Sequence, residues 1–172
     1  MRGDIPNNRD EHTANVYENS MIVFGGFSNG ERTNEIYRYY FKENKWEYVK
    51  PLSNFHPPAR AGHSAVIFHD NLVVFGGKDE DNNKLNDTWE FNLTNYQWSE
   101  CKVSETPLPR SGHSACIYKD FMVVFGGIYE ITKELDDMII YDFTNTRWLQ
   151  FFEEVNSPDK KKPPLSPSFL KQ

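Results

Sequence analysis

The histidines are the first side chains to consider for metal or acid–base chemistry. Three of the five recur at one spacing, each 13 residues before a Gly-Gly pair: His12, His63 and His113. A zinc site needs three or four ligands that converge on one ion at about 2 Å. Residues at the same position of successive repeats lie a repeat apart, so the spacing favours one structural role in each repeat. The remaining two, His56 and His69, fall singly in a predicted loop and a predicted turn.

Carboxylates and thiols also form no recognisable catalytic set. The run Asp79-Glu80-Asp81 could hold a cation, but the calcium-loop pattern is absent. Cys101 and Cys116 are too few for a disulfide framework and are predicted to be buried, reduced thiols in strands. The sequence lacks a nucleophile elbow, a phosphate-binding glycine loop and a Cys–His pattern. We therefore predict no catalytic residue, no metal and no cofactor.

Composition limits the class of partner. The chain has 172 residues and a net charge of -6, and its only basic cluster is Lys160–Lys162. An acidic chain of this kind is a poor ligand for nucleic acid or an anionic membrane. No apolar run approaches the roughly 20 residues of a membrane helix, and the polar start resembles no signal peptide. We expect a cytoplasmic protein.

The histidines belong to a larger pattern that occurs three times. A Phe-Gly-Gly triplet ends a short apolar run in each copy, with steps of 51 and 50 residues between copies. An arginine precedes each histidine by three residues, and a tryptophan follows each triplet. Self-similarity at a fixed period indicates a repeat architecture. The predicted structural repeat residues are Gly25, Gly26, Gly76, Gly77, Gly126, Gly127, Trp46, Trp98, Trp148, His12, His63 and His113.

One copy of the repeat predicts four β-strands. Residues 63–68 and 72–77 are short apolar runs, and residues 88–93 and 98–103 alternate apolar with polar side chains. Turn-forming residues separate the runs, and no helical period is present. A single four-stranded sheet cannot bury both of its faces, whereas stacked sheets can, so the period indicates propeller blades. We expect each Gly-Gly to end a strand where a side chain would clash or where φ is positive.

These residues resemble the kelch repeat. The first copy departs from the pattern, because Glu11 replaces a glycine, Thr13 a serine and Glu35 an aspartate. The resemblance implies an all-β fold, a partial kelch-type β-propeller of three four-stranded antiparallel blades. The second copy carries the pattern in full: Arg60-Ala61-Gly62-His63-Ser64, Phe75-Gly76-Gly77, Asn86-Asp87 and Trp98.

The repeats divide the chain. We predict three kelch repeats in residues 1–153, at about 3–52, 53–103 and 104–153, followed by a Pro/Lys-rich flexible tail or interrupted fourth repeat at 154–172. The resemblance implies rings that commonly hold five to seven blades, so three blades leave two apolar faces open. We therefore expect a fragment, a truncated gene product or half of a 3+3 assembly that self-associates through those faces.

Loops at one end of the predicted blades are the candidate binding surface. The loops between the second and third strands are long and differ between copies, and the connections between blades lie on the same side. Loops on a rigid scaffold commonly carry binding specificity, and acidic loops suit a partner with basic residues. The predicted protein-binding residues are Asn29, Glu31, Arg32, Arg60, Asp79, Glu80, Asp81, Arg110, Tyr129 and Glu130.

Two classes of function are open at this point. The first, which the resemblance implies, is a non-catalytic protein–protein interaction scaffold with an adaptor, signalling or cytoskeletal role. The second is a fragment of a kelch-propeller enzyme, such as an oxidase or a sugar-acid epimerase. Those enzymes need residues from many blades near the axis, which three blades do not easily supply. We predict the scaffold, with a protein partner of unknown identity, no nucleic acid and no membrane.

Overall fold

The computed structural model describes residues 1–151 and contains strands and turns without a helix in that range, which confirms the all-β prediction. No segment in that range forms a helix of the length and apolarity needed to cross a bilayer. The predicted tail at 154–172 lies outside the described residues. In chain order the strands are β1 (Arg2–Gly3), β2 (Thr13–Tyr17), β3 (Ser20–Phe24), β4 (Phe27–Ser28), β5 (Glu31–Arg32), β6 (Ile36–Tyr40), β7 (Lys45–Val49), β8 (Ser64–Phe68), β9 (Asn71–Phe75), β10 (Thr88–Asn92), β11 (Gln97–Glu100), β12 (Ser114–Tyr118), β13 (Phe121–Phe125), β14 (Met138–Asp142) and β15 (Arg147–Phe151).

Each sequence repeat forms one antiparallel meander, here called a blade. Blade 1 has the strand order β2-β3-β6-β7, blade 2 has β8-β9-β10-β11, and blade 3 has β12-β13-β14-β15. Four strands per repeat confirm the partial-propeller prediction. A short ribbon of β4 and β5 stands apart in the first loop, and the dipeptide Asn29-Gly30 forms its turn. Both turn residues have positive φ, at 54° and 89°, which is the conformation that Asn-Gly favours in tight hairpins.

The hydrophobic core lies between blades. Ile22 and Phe24 of blade 1 pack against Leu72 and Val74 of blade 2 in one buried cluster. A second buried cluster joins blades 2 and 3 in the same way. Because successive side chains of a strand point to opposite faces, β9 contributes Leu72 and Val74 to the first cluster and Val73 and Phe75 to the second. The members of the second cluster are Val66, Val73, Phe75, Met122, Val124, Ile139, Tyr141 and Trp148.

Backbone hydrogen bonds also join the blades near their first strands. The amide of Gly62 donates to the Glu11 carbonyl at 2.9 Å, and the amide of Gly112 donates to the Gly62 carbonyl at 2.7 Å. The three residues share a left-handed backbone, with φ of 51° at Glu11, 65° at Gly62 and 70° at Gly112. The same position of each repeat therefore links one blade to the next.

The first strand of the chain, β1, precedes the four strands of blade 1 and pairs with the edge of that blade. β1 pairs in parallel with β7 at the edge of blade 1, and the Asp4 amide donates to the Trp46 carbonyl at 3.1 Å. In blade 2 the connecting segment takes a comparable place, where the Leu52 amide donates to the Tyr96 carbonyl at 2.9 Å. Residues 2–4 thus follow the path of a connection between blades.

Candidate protein-interaction face

The repeated arginines are structural side chains inside their own blades. Arg60 donates to both carboxylate oxygens of Asp87, at 2.8 and 2.7 Å, and to the Gly76 carbonyl at 2.9 Å. Arg110 repeats this arrangement with Asp137 and the Gly126 carbonyl. Both arginines are fully buried. Their prediction as partner-binding residues is therefore corrected, because a side chain that is enclosed and already paired cannot contact a partner.

The ion pair also affects the acid of blade 2. Burial by itself would raise the pKa of Asp87, but hydrogen bonds and charge from Arg60 outweigh burial and lower that pKa. Blade 1 carries a looser version, in which Arg9 donates to Glu35 at 3.0 Å and to the Gly25 carbonyl at 3.2 Å. Glu35 is one residue closer in sequence to its arginine than Asp87 and Asp137 are to theirs. Its longer side chain still reaches the place that the aspartate carboxylates occupy in the other two blades.

Each later histidine inserts into the preceding blade. His63 Nε2 and Thr13 Oγ1 are 3.0 Å apart, and the His63 ring packs edge-on against Phe24 at 5.1 Å between centroids. His113 is placed equivalently, with Nε2 at 2.9 Å from Ser64 Oγ. His12 belongs to the first blade and is exposed. No group of histidine, cysteine or acidic residues within residues 1–151 is arranged to hold a metal ion.

Burial keeps the two inserted histidines neutral. Burial, reinforced by the positive charge of Arg60, lowers the pKa of His63 to about 3. Burial and the charge of Arg110 lower the pKa of His113 to about 4. Carbonyl groups of the preceding blade oppose these shifts only weakly. Both rings are therefore uncharged at neutral pH, as a buried junction requires.

The Gly-Gly pairs make room for that insertion. A Cβ built on Gly25 would lie 2.8 Å from His63 Cε1, and one on Gly76 would lie 2.9 Å from His113 Cε1. The second glycine of each pair faces its own blade, since a Cβ on Gly77 would lie 2.9 Å from His63 Cβ. All six glycines have positive φ. Close approach and backbone conformation thus both require glycine.

The repeated tryptophans seal the same junctions. Trp98 of blade 2 packs against Phe24 of blade 1 at 5.2 Å between centroids, and Trp148 of blade 3 packs against Phe75 of blade 2 at 4.4 Å. Trp46 has no preceding blade within the described residues and contacts Tyr39 at 4.9 Å. His, Trp and the first glycine of each pair therefore act together at one contact.

The two cysteines differ from their prediction. Cys101 follows the end of β11 and is partly buried beside Tyr141, and burial raises the pKa of its thiol to about 12. Cys116 lies in β12 but is exposed, so its predicted burial is wrong. The equivalent position in blade 2 is Val66, which is buried because blade 3 covers it. Within the described residues no blade covers Cys116.

The long loops and the blade connections lie on one face, here called the loop face. Asn34 donates to the Pro57 carbonyl at 3.0 Å, and Asn86 donates to the Pro107 carbonyl at 3.1 Å. Each bond ties the end of a long loop to the following connection. The short turns lie at the opposite ends of the strands. The loop face is therefore a single surface that spans the three blades.

Arg32 links the first two loops across this face. Its backbone amide donates to Glu80 Oε1 at 2.6 Å, and its guanidinium donates to the Glu80 carbonyl and to Asn82 Oδ1. Lys78 reaches back from blade 2 to Glu11 at 3.0 Å. Of the predicted binding residues, Arg32 and Glu80 are thus brought together by a contact between loops.

Internal hydrogen bonds order the second and third loops. Asp79 accepts from the amides of Asp81 and Asn83, at 3.1 and 2.9 Å, so its carboxylate holds a turn. The Tyr129 amide donates to the Lys133 carbonyl at 2.9 Å. The predicted binding residues that are exposed on this face are Asn29, Glu31, Glu80, Asp81 and Glu130, while Arg32, Asp79 and Tyr129 are partly exposed.

Comparison with known proteins agrees with this architecture. Residues 49–164 match the KLHDC2/KLHL20/DRC7 Kelch-repeats domain, and residues 8–53 match the Kelch motif. The chain is 34% identical over 102 residues to Rho GTPase-activating protein gacHH of Dictyostelium discoideum, which covers 57% of this chain and 7% of that protein. It is 33% identical over 109 residues to the leucine-zipper-like transcriptional regulator 1 homolog of Drosophila melanogaster, covering 59% and 11%.

A third relative matches over a similar length of this chain. Dynein regulatory complex subunit 7 of Chlamydomonas reinhardtii is 29% identical over 106 residues, covering 59% of this chain and 9% of that protein. The chain therefore aligns with only a small part of these relatives. The first kelch match covers more than half of the chain, and the second covers the first blade. The chain belongs to the kelch-repeat family.

Proposed function

We propose that the chain is a non-catalytic protein-interaction module that binds its partner on the loop face. The observation that carries this proposal is the arrangement of the three loops, which differ in sequence, present exposed side chains on one side of a repetitive scaffold and are acidic in the second and third blades. Kelch-repeat relatives are in general protein-interaction domains, which supports the same class. An adaptor or signalling role in the cytoplasm is part of the proposal.

Order in the loops favours binding. The bond network of Arg32 with Glu80 and Asn82 holds two loops in one relative position before a partner arrives. A surface that is already ordered loses less conformational entropy on association, so more of the contact energy contributes to affinity. The buried pair of Arg60 with Asp87 fixes the end of the second loop to the blade beneath it.

The acidic side chains of the loop face favour a basic partner. Asp81 and Glu130 are exposed acids, and the chain as a whole carries a net charge of -6. Opposite charge steers encounter and fixes orientation, so an extended peptide rich in Lys and Arg is the expected ligand. Aromatic contact is available from Tyr129, whose ring lies 5.6 Å from Lys133 Nζ.

A random peptide library displayed on phage tests the proposal. We expect selection on the immobilised full chain to enrich basic peptides whose binding weakens with added salt. The double variant Asp81→Lys/Glu130→Lys should bind them at least tenfold more weakly. The control Glu43→Lys/Asp120→Lys makes the same change of charge on the opposite turns and should bind like the parent. Equal binding to both variants, or no enrichment of basic peptides, contradicts the proposal.

A further inference from the structure

The outer face of blade 3 carries an unfilled copy of the junction seen twice within the chain. Ser114 takes the place of Thr13 and Ser64, which bond the histidine of the next blade, and Ser114 is exposed. Phe125 takes the place of Phe24 and Phe75, which are fully buried, yet Phe125 is 58% exposed. We call Ser114, Phe125 and Gly126 the open socket.

Gly126 has fewer close neighbours among the described residues than the equivalent glycine of blade 2. A Cβ on Gly76 would meet both His113 and the Arg110 carbonyl within 3 Å. Among residues 1–151, a Cβ on Gly126 would meet only the Leu135 carbonyl, at 3.2 Å. The backbone of Gly126 keeps the same left-handed conformation, with φ of 69° against 65° at Gly76. The third socket is therefore built like the others but receives no histidine from residues 1–151.

The outer face of blade 1 carries the matching insert. His12 holds the position of His63 and His113 but is exposed. Glu11 has the left-handed backbone of Gly62 and Gly112, whose amides donate to the preceding blade. Trp46 takes the place of the tryptophans that cover the socket phenylalanines in the two filled junctions. The first blade thus presents every group that fills a socket inside the chain.

The flanking side chains on the two outer faces are also suited to an interface. Trp89 and Phe91 of blade 2 pack against blade 1, and their equivalents on the outer face of blade 1 are Tyr37 and Tyr39. Tyrosine suits such a face because its ring can pack against a neighbouring protein while its hydroxyl group can also be solvated. On blade 3 the face around the open socket is apolar, and Met138 is exposed there. Tyrosine and tryptophan are enriched at interfaces, whereas an exposed apolar face is a liability unless something covers it.

We propose that the open socket of blade 3 receives His12 from blade 1 of a second copy of this chain, and that the second copy's socket receives His12 of the first. The two contacts are head-to-tail and related by a two-fold axis, so they close a ring. Two chains of three blades give six blades, which lies within the four to eight of known propellers. This inference is independent of any ligand on the loop face.

Sedimentation of the full chain across a range of concentrations tests the ring. We expect a dimer of about 40 kDa, twice the 20.2 kDa of one chain. The variants Phe125→Asp and His12→Asp should each weaken dimerisation at least tenfold, because either change damages both contacts of the ring. The matched control is Ile131→Asp, at a loop position that is 96% exposed, and it should dimerise like the parent.

Mixing the two defective variants separates this arrangement from others. Phe125→Asp retains an intact His12, and His12→Asp retains an intact socket, so a mixed pair regains one sound contact and should associate more strongly than either variant alone. Circular dichroism of each variant establishes that it is folded. Four results overturn the proposal: a parent chain that stays monomeric, a dimer that His12→Asp does not weaken, open polymers, or dimerisation only after removal of residues 152–172.

Discussion

Acid is expected to destabilise the blade junctions, because two neutral histidines are buried in them. Burial, together with nearby positive charge, lowers the pKa of His63 to about 3 and that of His113 to about 4. In the unfolded chain these side chains take up protons near a pKa of about 6.5. The unfolded state then binds protons that the folded state excludes, so this stability is present above pH 6.5 and is lost as the pH falls.

The size of the effect follows from the pKa values. At pH 5 the solution lies about 1.5 units below the unfolded pKa and above both folded values, so protonation favours the unfolded state by about 2 kcal/mol for each histidine. For His63 and His113 together the loss is about 4 kcal/mol. Total stabilities of about 5–15 kcal/mol are usual for single domains, so a loss of this size is readily measured.

Urea unfolding at pH 7 and pH 5, at one fixed protein concentration, measures the loss. The variant His113→Gln keeps a polar atom near Ser64 but cannot take up the proton, so between the two pH values it should lose about 2 kcal/mol less than the parent. Comparison of the two chains cancels the titration of carboxylates. His69→Gln, at an exposed turn, should show the parent's loss. If His113→Gln loses as much stability as the parent, the reasoning is refuted.

Two further predictions concern the repeated glycine and arginine residues. Gly76→Ala should destabilise the monomer by about 1–3 kcal/mol more than Gly126→Ala. Both substitutions strain a left-handed backbone, but only Gly76 faces the ring of His113. Urea unfolding of the monomer measures the difference, and equal losses would contradict the prediction. Arg110→Met should cost about 1–3 kcal/mol because it leaves the partly buried Asp137 carboxylate and the Gly126 carbonyl without their donor, and Arg9→Met should cost less because Glu35 is more exposed. Thermal unfolding of the two variants checks the order.

The sequence was sufficient for the blades because a fixed period constrains every copy at once. Residues 63–68 and 72–77 were predicted as strands, and strands occupy Ser64–Phe68 and Asn71–Phe75. The ribbon of β4 and β5 was not predicted, although Asn29-Gly30 is a recognised hairpin dipeptide. β1 could not be predicted, because its pairing depends on the distant edge of β7.

Arg60 and Arg110 show why the candidate site was harder to predict. Arginine in a loop beside proline is usually exposed, and burial of a charge is unfavourable without a partner. The partner was visible in the spacing, because Asp87 and Asp137 each follow their arginine by 27 residues. Contacts between loops, such as that of Arg32 with Glu80, depend on the length and direction of individual side chains. They do not recur from one repeat to the next, so the sequence pattern does not predict them.

The head-to-tail junction also affects how such proteins evolve. Each blade carries an inserting histidine on one side and a receiving glycine on the other, for example His63 and Gly76. A duplicated blade would therefore meet its neighbours through contacts of the kind that already join the blades of this chain. The same junction can in this way join any number of blades in an open array. The junction residues are the constrained ones, because a change at one of them disturbs two neighbouring units.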